Sequence, residues 1–234
     1  MTNRYSAIWF ELFLEPIQLV QTESEIAFIT RHLPNPPYAR ILDLCCGPGR
    51  HARLLADKNY QVTGVDFNKG ALEKATSLSN GKVVYRELDM RQLAELPGFF
   101  DAVINLWQSF GYFDETTNAD ILRQISYKLN RQGRLILDIY HRGFFEQHQG
   151  IRQLESNGVT VTETKLMKGN RLSIELDYEG RERERFEWQL YSPDEIGAQA
   201  KEYSLVPVII CTGFNETQSA SDNSPRMQIV FEKT

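Results

Sequence analysis

The chain has 234 residues, enough for one sizeable core with a small appended subdomain and too few for an assembly of large domains. Hydrophobic residues make up 41% and charged residues 24%, with 13 Phe, 10 Tyr and 3 Trp, so a packed interior is expected and wholesale disorder is excluded. A net charge of −5 argues against a polyanion-wrapping protein, and three cysteines, two of them the neighbours Cys45 and Cys46, cannot build a disulfide framework and suit a reducing compartment.

The first ten residues mix polar and aromatic types and lack the apolar run of a signal peptide. Tyr5, Ile8, Trp9, Leu12 and Phe13 fall at i, i+3, i+4, i+7 spacing, and Glu23 to His32 forms a second helical candidate, before Pro34, Pro36 and Pro37 end the helical region. Residues 1–37 therefore read as a helical cap.

From residue 38 to 150, short aliphatic runs alternate with amphipathic ones. Strands are predicted at Arg40–Cys45, Gln61–Asp66, Val83–Arg86, Phe100–Asn105 and Leu135–Ile139, with helices after the first two, over His51–Ala56 and Lys69–Ser77, and after the fourth, over Thr117–Leu129. Strands with little polar alternation, separated by helices, predict a mostly parallel sheet covered on both faces, an α/β core.

Residues 151–190 change character. Alternating runs beginning at Val159, Arg171 and Arg183, broken at Gly169-Asn170 and Gly180, predict a small insertion of three antiparallel strands with one wet face. Residues 191–234 then supply a helix starting at Ser192-Pro193-Asp194-Glu195 and two closing strands, Leu205–Thr212 and Met227–Glu232, around a loop from Asn215 to Pro225. The apolar stretch Leu205–Cys211 is far too short to cross a bilayer. The expectation is one domain over 1–234, cytoplasmic, with no membrane association.

The chemistry points to the first three strand ends. Gly47-Pro48-Gly49 straddles a strand-to-helix turn, where a missing Cβ lets backbone turn tightly and approach a ligand. The spacing is neither the dinucleotide GxGxxG fingerprint nor a Walker A loop, which disfavours a nicotinamide oxidoreductase. Asp66 closes the second strand nineteen residues beyond Gly47, where nucleoside-binding α/β folds place the acid that accepts from ribose hydroxyls. Asp43 sits in an otherwise apolar strand, costly unless it meets several donors or a cation. Asp89-Met90 follows the third strand at the same sheet edge.

Leu42-Asp-Leu-Cys-Cys-Gly-Pro-Gly-Arg-His-Ala52, Val62-Thr-Gly-Val-Asp-Phe-Asn68 and Phe100-Asp-Ala-Val-Ile-Asn105 closely resemble the first, second and fourth motifs of class I S-adenosylmethionine-dependent methyltransferases, over about residues 38–140. Weaker likeness to bacterial small-molecule-type members continues through Leu190–Ile196 and Ser224–Phe231. The resemblance implies a Rossmann-like seven-stranded sheet, mostly parallel with an antiparallel C-terminal strand, helices on both faces and the small antiparallel insertion. It implies S-adenosylmethionine as cofactor, with S-adenosylhomocysteine as product. Asp43 would organise the loop and the methionine ammonium end. Cys45, Gly47 and Gly49 would line the methionyl and ribose portion. Asp66 would take both ribose hydroxyls, with Phe67 against the adenine. Asp89 would address the adenine amino group, with Met90 packed on the ring. Asn105, Leu106 and Trp107 would lie beneath the methionyl chain. The family commonly has glycine where this chain has Cys45, and a cysteine there implies an ordinary backbone conformation in the first half of the turn. Vicinal Cys45 and Cys46 lack a zinc or redox spacer and read as buried small hydrophobes, so no metal site is expected.

The reaction is then an in-line displacement onto oxygen, nitrogen or carbon of a small-molecule methyl acceptor, with alignment and exclusion of water as the protein's main tasks. Tyr5 and Trp9 on the cap, Trp107 and Tyr112 after the fourth strand, Tyr140 and Arg142 after the fifth and Trp188 in the insertion are candidate acceptor-pocket residues. His141 is a candidate base and Tyr5 an orienting hydroxyl. His51 is read as facing a neighbour or solvent, and His32 and His148 carry no role. A nucleic-acid or protein methyltransferase with the same core is the alternative, disfavoured by the lack of an Asn/Asp-Pro-Pro-Tyr-like motif at Asn105-Leu-Trp-Gln108 and by the acids interspersed in the Arg-rich insertion. A non-catalytic binding protein on the same fold is the other. Whether the chain is a monomer or a homodimer stays open.

Overall fold

The computed structural model describes residues 3–234; Met1 and Thr2 of the expected cap lie outside the described residues. Five parallel strands, β1 (Arg40–Leu44), β2 (Gln61–Asp66), β3 (Val83–Glu87), β4 (Phe100–Asn105) and β5 (Leu129–Tyr140), are followed by the closing pair β10 (Leu205–Cys211) and β11 (Arg226–Lys233). They form a seven-stranded sheet in the order β10-β11-β5-β4-β1-β2-β3, with β11 antiparallel to both neighbours. The register brings Asp43 beside Gly64 and Asp66 beside Glu87, so the carboxyl ends of β1, β2 and β3 share one edge.

The period-two geometry of strands divides the core between the two sheet faces. Ile41, Ile104 and Ile136 pack with Ile26, Phe28 and Ile29 of α2 (Leu19–His32) and Leu55 of α3 (Arg50–Asp57). Leu42, Val103 and Leu137 pack on the opposite side with Ile121, Leu122 and Ile125 of α5 (Glu115–Lys128) and Ile196 of α7 (Pro193–Lys201). The remaining α4 (Lys69–Leu78) and the short α6 (Arg142–Gln147) lie between β2 and β3 and after β5 in the chain. Ser192 caps α7 in a full capping box with Glu195, as its sequence signature predicts.

The insertion differs from expectation. It is a four-stranded antiparallel sheet in the order β6-β7-β8-β9, comprising β6 (Gly150–Ser156), β7 (Val159–Lys168), β8 (Arg171–Tyr178) and β9 (Arg183–Gln189). The unpredicted β6 is an edge strand exposed along most of its length, so it carries little of the alternation that revealed its neighbours. Along β8 every second residue is buried, the wet-face pattern expected of a half-covered sheet.

The cap is also divided. A single α-turn, α1 (Ala7–Trp9), runs into a π-helical turn over Phe10–Leu14, and the chain reverses at Glu15–Gln18, around Pro16, before α2. Asn3 exchanges two hydrogen bonds with the backbone of Glu187, and the Ser6 amide donates to Glu184 at 2.9 Å, so the cap is stitched to β9. The insertion meets the core where the Gln189 amide donates to the Gly111 carbonyl at 2.7 Å and the Trp188 indole donates to the Gln108 carbonyl at 2.8 Å.

Candidate functional site

A partly open cleft with a cavity volume of about 110 Å³ lies at the carboxyl edge of β1, β2 and β4. Its lining includes Asp43, Cys45 and Gly47 from the first turn, Asp66, Phe67 and Asn68 from the end of β2, Leu106, Trp107, Ser109 and Tyr112 from the loop after β4, and Tyr5, Trp9, Phe10 and Leu14 from the cap.

The glycine turn is left-handed at three places: Cys45 (φ 63°), Gly47 (φ 52°) and Gly49 (φ 71°). The ordinary backbone conformation expected for Cys45 is therefore corrected. The Cys46 amide must turn back to donate to the Val65 carbonyl at 3.0 Å, and that requires the residue before it to reverse, at a cost of about 1–2 kcal/mol for a residue with a Cβ. The two glycines serve different ends. A Cβ on Gly47 would meet no atom within 4 Å, so this position faces open cleft. A Cβ on Gly49 would strike the Tyr85 ring, so Gly49 lets the start of α3 pack on β3 and is not itself among the lining residues.

Asp66 joins the two strand ends. Its Oδ2 accepts from the Gly47 amide and its Oδ1 from the Asn68 amide, both at 2.8 Å. Burial raises its pKa, opposed by these amides and that of Phe67. Each oxygen retains a lone pair for a further donor. Asp43 is 2% exposed, and its Oδ2 has no hydrogen-bond partner among the described residues. Burial, then the neighbouring Asp66, pushes its carboxyl up to about 7. A buried, unpartnered carboxylate on a cleft wall is costly unless a cationic ligand group meets it.

Beside Asp43 the wall turns cationic. Arg50 and His51, at the start of α3, line the cleft, and both bond to Oε2 of Glu25 from α2, at 2.9 and 2.7 Å. Burial alone would raise the Glu25 carboxyl, but the His51 bond and the charges of His51 and Arg50 hold it down at about 2. His51 is thus buried against a neighbour, with its pKa lowered mainly by that burial. The other Glu25 oxygen accepts from the Trp107 indole at 3.0 Å. The Arg50 and Arg226 guanidinium groups both lie over the Trp107 ring, 4.8 and 4.7 Å from its centroid. Its backbone and that of Gln108 are left-handed, both at φ 57°. Buried Asp138 holds this strained turn by accepting from the Trp107 amide at 2.8 Å, and Arg226 and Gln228 hold Asp138 in turn.

At the cap end, the Tyr5 and Tyr112 hydroxyls are hydrogen bonded at 2.8 Å, and Tyr5 stacks on Phe186 with ring centroids 4.7 Å apart. Burial pushes both phenols up.

The other expected residues fall outside the cleft lining. Asn105 is fully buried beneath it, its amide donating to the Leu44 carbonyl at 2.9 Å and its Oδ1 without a partner among the described residues. Met90 packs under Cys45, with the two sulfurs 3.7 Å apart. Asp89 caps the 3-10 turn Met90–Glu95, and both its oxygens are engaged by Arg91. Tyr140 and Trp188 pack edge to face at 5.3 Å behind Tyr112. Arg142 pairs with Glu146 and Glu195 on the surface. His141 is buried against the terminal loop, with Nδ1 3.5 Å from Asp222. Sequence reasoning missed Glu25, Arg50 and Asn68. Glu25 carried no signal, because one acid in an amphipathic helix reads as solvated surface, whereas Arg50 and Asn68 adjoin the motifs and were reachable from them.

Among the described residues, no group of three or more His, Cys, Asp or Glu could hold a metal ion, and no helix is long and apolar enough to cross a membrane.

Comparison with known proteins agrees with this geometry. The family described as "Methyltransferase domain" matches residues 41–133. The Bacillus subtilis (strain 168) protein named "Putative methyltransferase YqeM" is 31% identical over 108 residues, covering 45% of this chain and 44% of its own. The chain spans about half the length of the curated relatives it matches. An S-adenosylmethionine-dependent methyltransferase from Clostridium acetobutylicum superposes with a TM-score of 0.81 at 18% identity, over 97% of this chain and 96% of that one. CalS10, an amino pentose methyltransferase from Micromonospora echinaspora, superposes with a TM-score of 0.75 at 18% identity over 100% of both. At these identities the superpositions speak to the fold. Residues 41–133 thus match a methyltransferase domain, and the superpositions extend the same fold over the whole chain.

Proposed function

We propose that the protein is an S-adenosylmethionine-dependent methyltransferase acting on a small molecule. The observation that carries this reading is the pairing of Asp66, bound to the Gly47 amide, with the unpartnered Oδ2 of buried Asp43 on one cleft wall. An adenosyl sugar offers two hydroxyl donors and a methionyl tail offers an ammonium, and these are the groups the two carboxylates lack. When bound, the cofactor supplies an electrophilic methyl group on a sulfonium.

The chain's residues do the rest. Asp66 accepts from the ribose hydroxyls through its remaining lone pairs, and Phe67, next along the cleft wall, covers the base. Asp43 neutralises the ammonium, which returns its raised pKa toward the ordinary carboxylate range. Arg50, whose Nε and Nη2 make no protein hydrogen bond among the described residues, stands beside Asp43 for the tail carboxylate. Leu106 and Trp107 floor the methionyl chain. Tyr5, Trp9, Phe10 and Leu14 close over the cleft and exclude water, and the Tyr5–Tyr112 hydroxyl pair orients the acceptor. Asp89, held by Arg91, and His141, buried against the terminal loop, receive no role in this reading. Small-molecule acceptors suit a cleft roofed by the cap and walled by aromatic rings. The amino pentose substrate of CalS10 is one example of that class.

The test is a product screen. Purified protein is incubated with methyl-labelled S-adenosylmethionine and fractionated small-molecule extract, and products are read by mass. A labelled product that disappears in Asp66→Ala supports the reading. Label appearing only in added nucleic acid or protein would contradict the acceptor class.

A further inference from the structure

Glu25 is the feature of the cleft that the proposed reaction leaves unused. It projects from α2, outside the three motifs, and is 1% exposed. Its two oxygens take Arg50 and His51 on one side and the Trp107 indole on the other. One carboxylate therefore fixes groups from the start of α3 and from the loop after β4, two elements far apart in the sequence.

We propose that Glu25 is a positioning residue that sets the Arg50 guanidinium, braced on the Trp107 ring, as the receptor for the carboxylate of the methionyl tail. The inference rests on the cofactor reading above and deepens it. Only the Nη1 corner of Arg50 is consumed, by Glu25 and by the Thr22 hydroxyl, and the Nε and Nη2 edges are left without a protein acceptor. Arg50 lines the cleft next to Asp43, so a cation and a carboxylate stand side by side, in the arrangement that complements an α-amino acid zwitterion. The same guanidinium lies on the Trp107 ring at 4.8 Å, which limits its swing. A long Arg side chain free to sample many rotamers would lose much of its binding energy to ordering, and Glu25 removes that cost before the ligand arrives. The charge balance is consistent with this role: Glu25 offsets the charge of one guanidinium while leaving its outer edge free to bind.

Three ligands of graded structure separate positioning from general scaffolding: S-adenosylhomocysteine with the complete tail, 5′-methylthioadenosine without the amino acid, and adenosine. Dissociation constants are measured by calorimetry on wild type, Glu25→Gln and Arg50→Met, with folding checked by circular dichroism. Glu25→Gln is expected to weaken S-adenosylhomocysteine tenfold or more while leaving 5′-methylthioadenosine and adenosine within twofold, and to shift the Trp107 fluorescence that ligand binding perturbs. Arg50→Met is expected to give the same split, which keeps the test intact if Glu25→Gln folds poorly. Combining the two substitutions should cost little more than either alone. Equal weakening of all three ligands would reduce Glu25 to a scaffold role and overturn the proposal, as would no weakening of any. Failure of wild type to bind S-adenosylhomocysteine at all would instead strike the cofactor reading.

Discussion

The Gly47 amide donates to Oδ2 of Asp66 at 2.8 Å, a bond between the turn after β1 and the last residue of β2. It joins the two segments that the proposed cofactor site spans, and the Asn68 amide engages the other carboxylate oxygen at 2.8 Å.

Removing that carboxylate would delete the proposed ribose contact and free the turn. Asp66→Ala is expected to weaken S-adenosylmethionine binding ten- to a hundredfold, about 1.4–2.8 kcal/mol, measured by titration calorimetry. Asp66→Asn, which retains one acceptor oxygen, should fall between alanine and wild type.

Asp43 predicts a pH dependence of stability. Burial and the neighbouring Asp66 push its folded pKa up to about 7, well above the ordinary aspartate range. The unfolded chain therefore releases this proton first, and the stability present below about pH 4 is lost as pH rises through 7. Ligand-free Asp43→Asn should melt higher than wild type at pH 8 and converge with it near pH 4. With S-adenosylmethionine present the order should reverse at pH 8, because the asparagine cannot neutralise the ammonium. A gap that does not change with pH would remove Asp43 from this role.

Cys45 tests the strained half of the turn. Cys45→Gly removes the left-handed penalty but also the thiol that packs on Met90, so stability should change little and cofactor affinity should hold within about twofold. Cys45→Val places a β-branched residue at φ 63° and is expected to lower stability by about 1–2 kcal/mol in urea denaturation.

Gly111 is the seam between core and insertion. It sits at φ 100°, and an added Cβ would lie 2.5 Å from the Gln189 carbonyl oxygen, a backbone atom with little room to yield. Gly111→Ala should therefore cost about 2 kcal/mol or more and loosen the insertion, read as faster amide exchange in β9.

The sheet was legible because its strands are short aliphatic runs spaced by helices, and Leu42, Val103 and Leu137 sort to one face and Ile41, Ile104 and Ile136 to the other by period alone. The same rule failed for β6, where Arg152, Gln153 and Glu155 leave no continuous apolar face. At the site, Asp43, Gly47 and Asp66 could be read because their spacing is tied to the strand ends. The backbone of Cys45 could not, since its left-handed turn answers to a hydrogen bond onto Val65, far along the chain. Glu25 was invisible for a similar reason: a helix residue becomes a hub only when α3 and the Trp107 loop fold against it. Tyr140 and Arg142 follow from proximity to a strand end and Trp188 from alternation in the insertion, and neither signal reports which cavity a side chain reaches.

Titration calorimetry of cofactor-stripped protein with S-adenosylmethionine probes the bridging of the two strand ends most directly. One molecule bound per chain, with the heat strongly reduced in Asp66→Ala, is the predicted result. Absence of heat at millimolar ligand, or equal binding by wild type and Asp66→Ala, would contradict it.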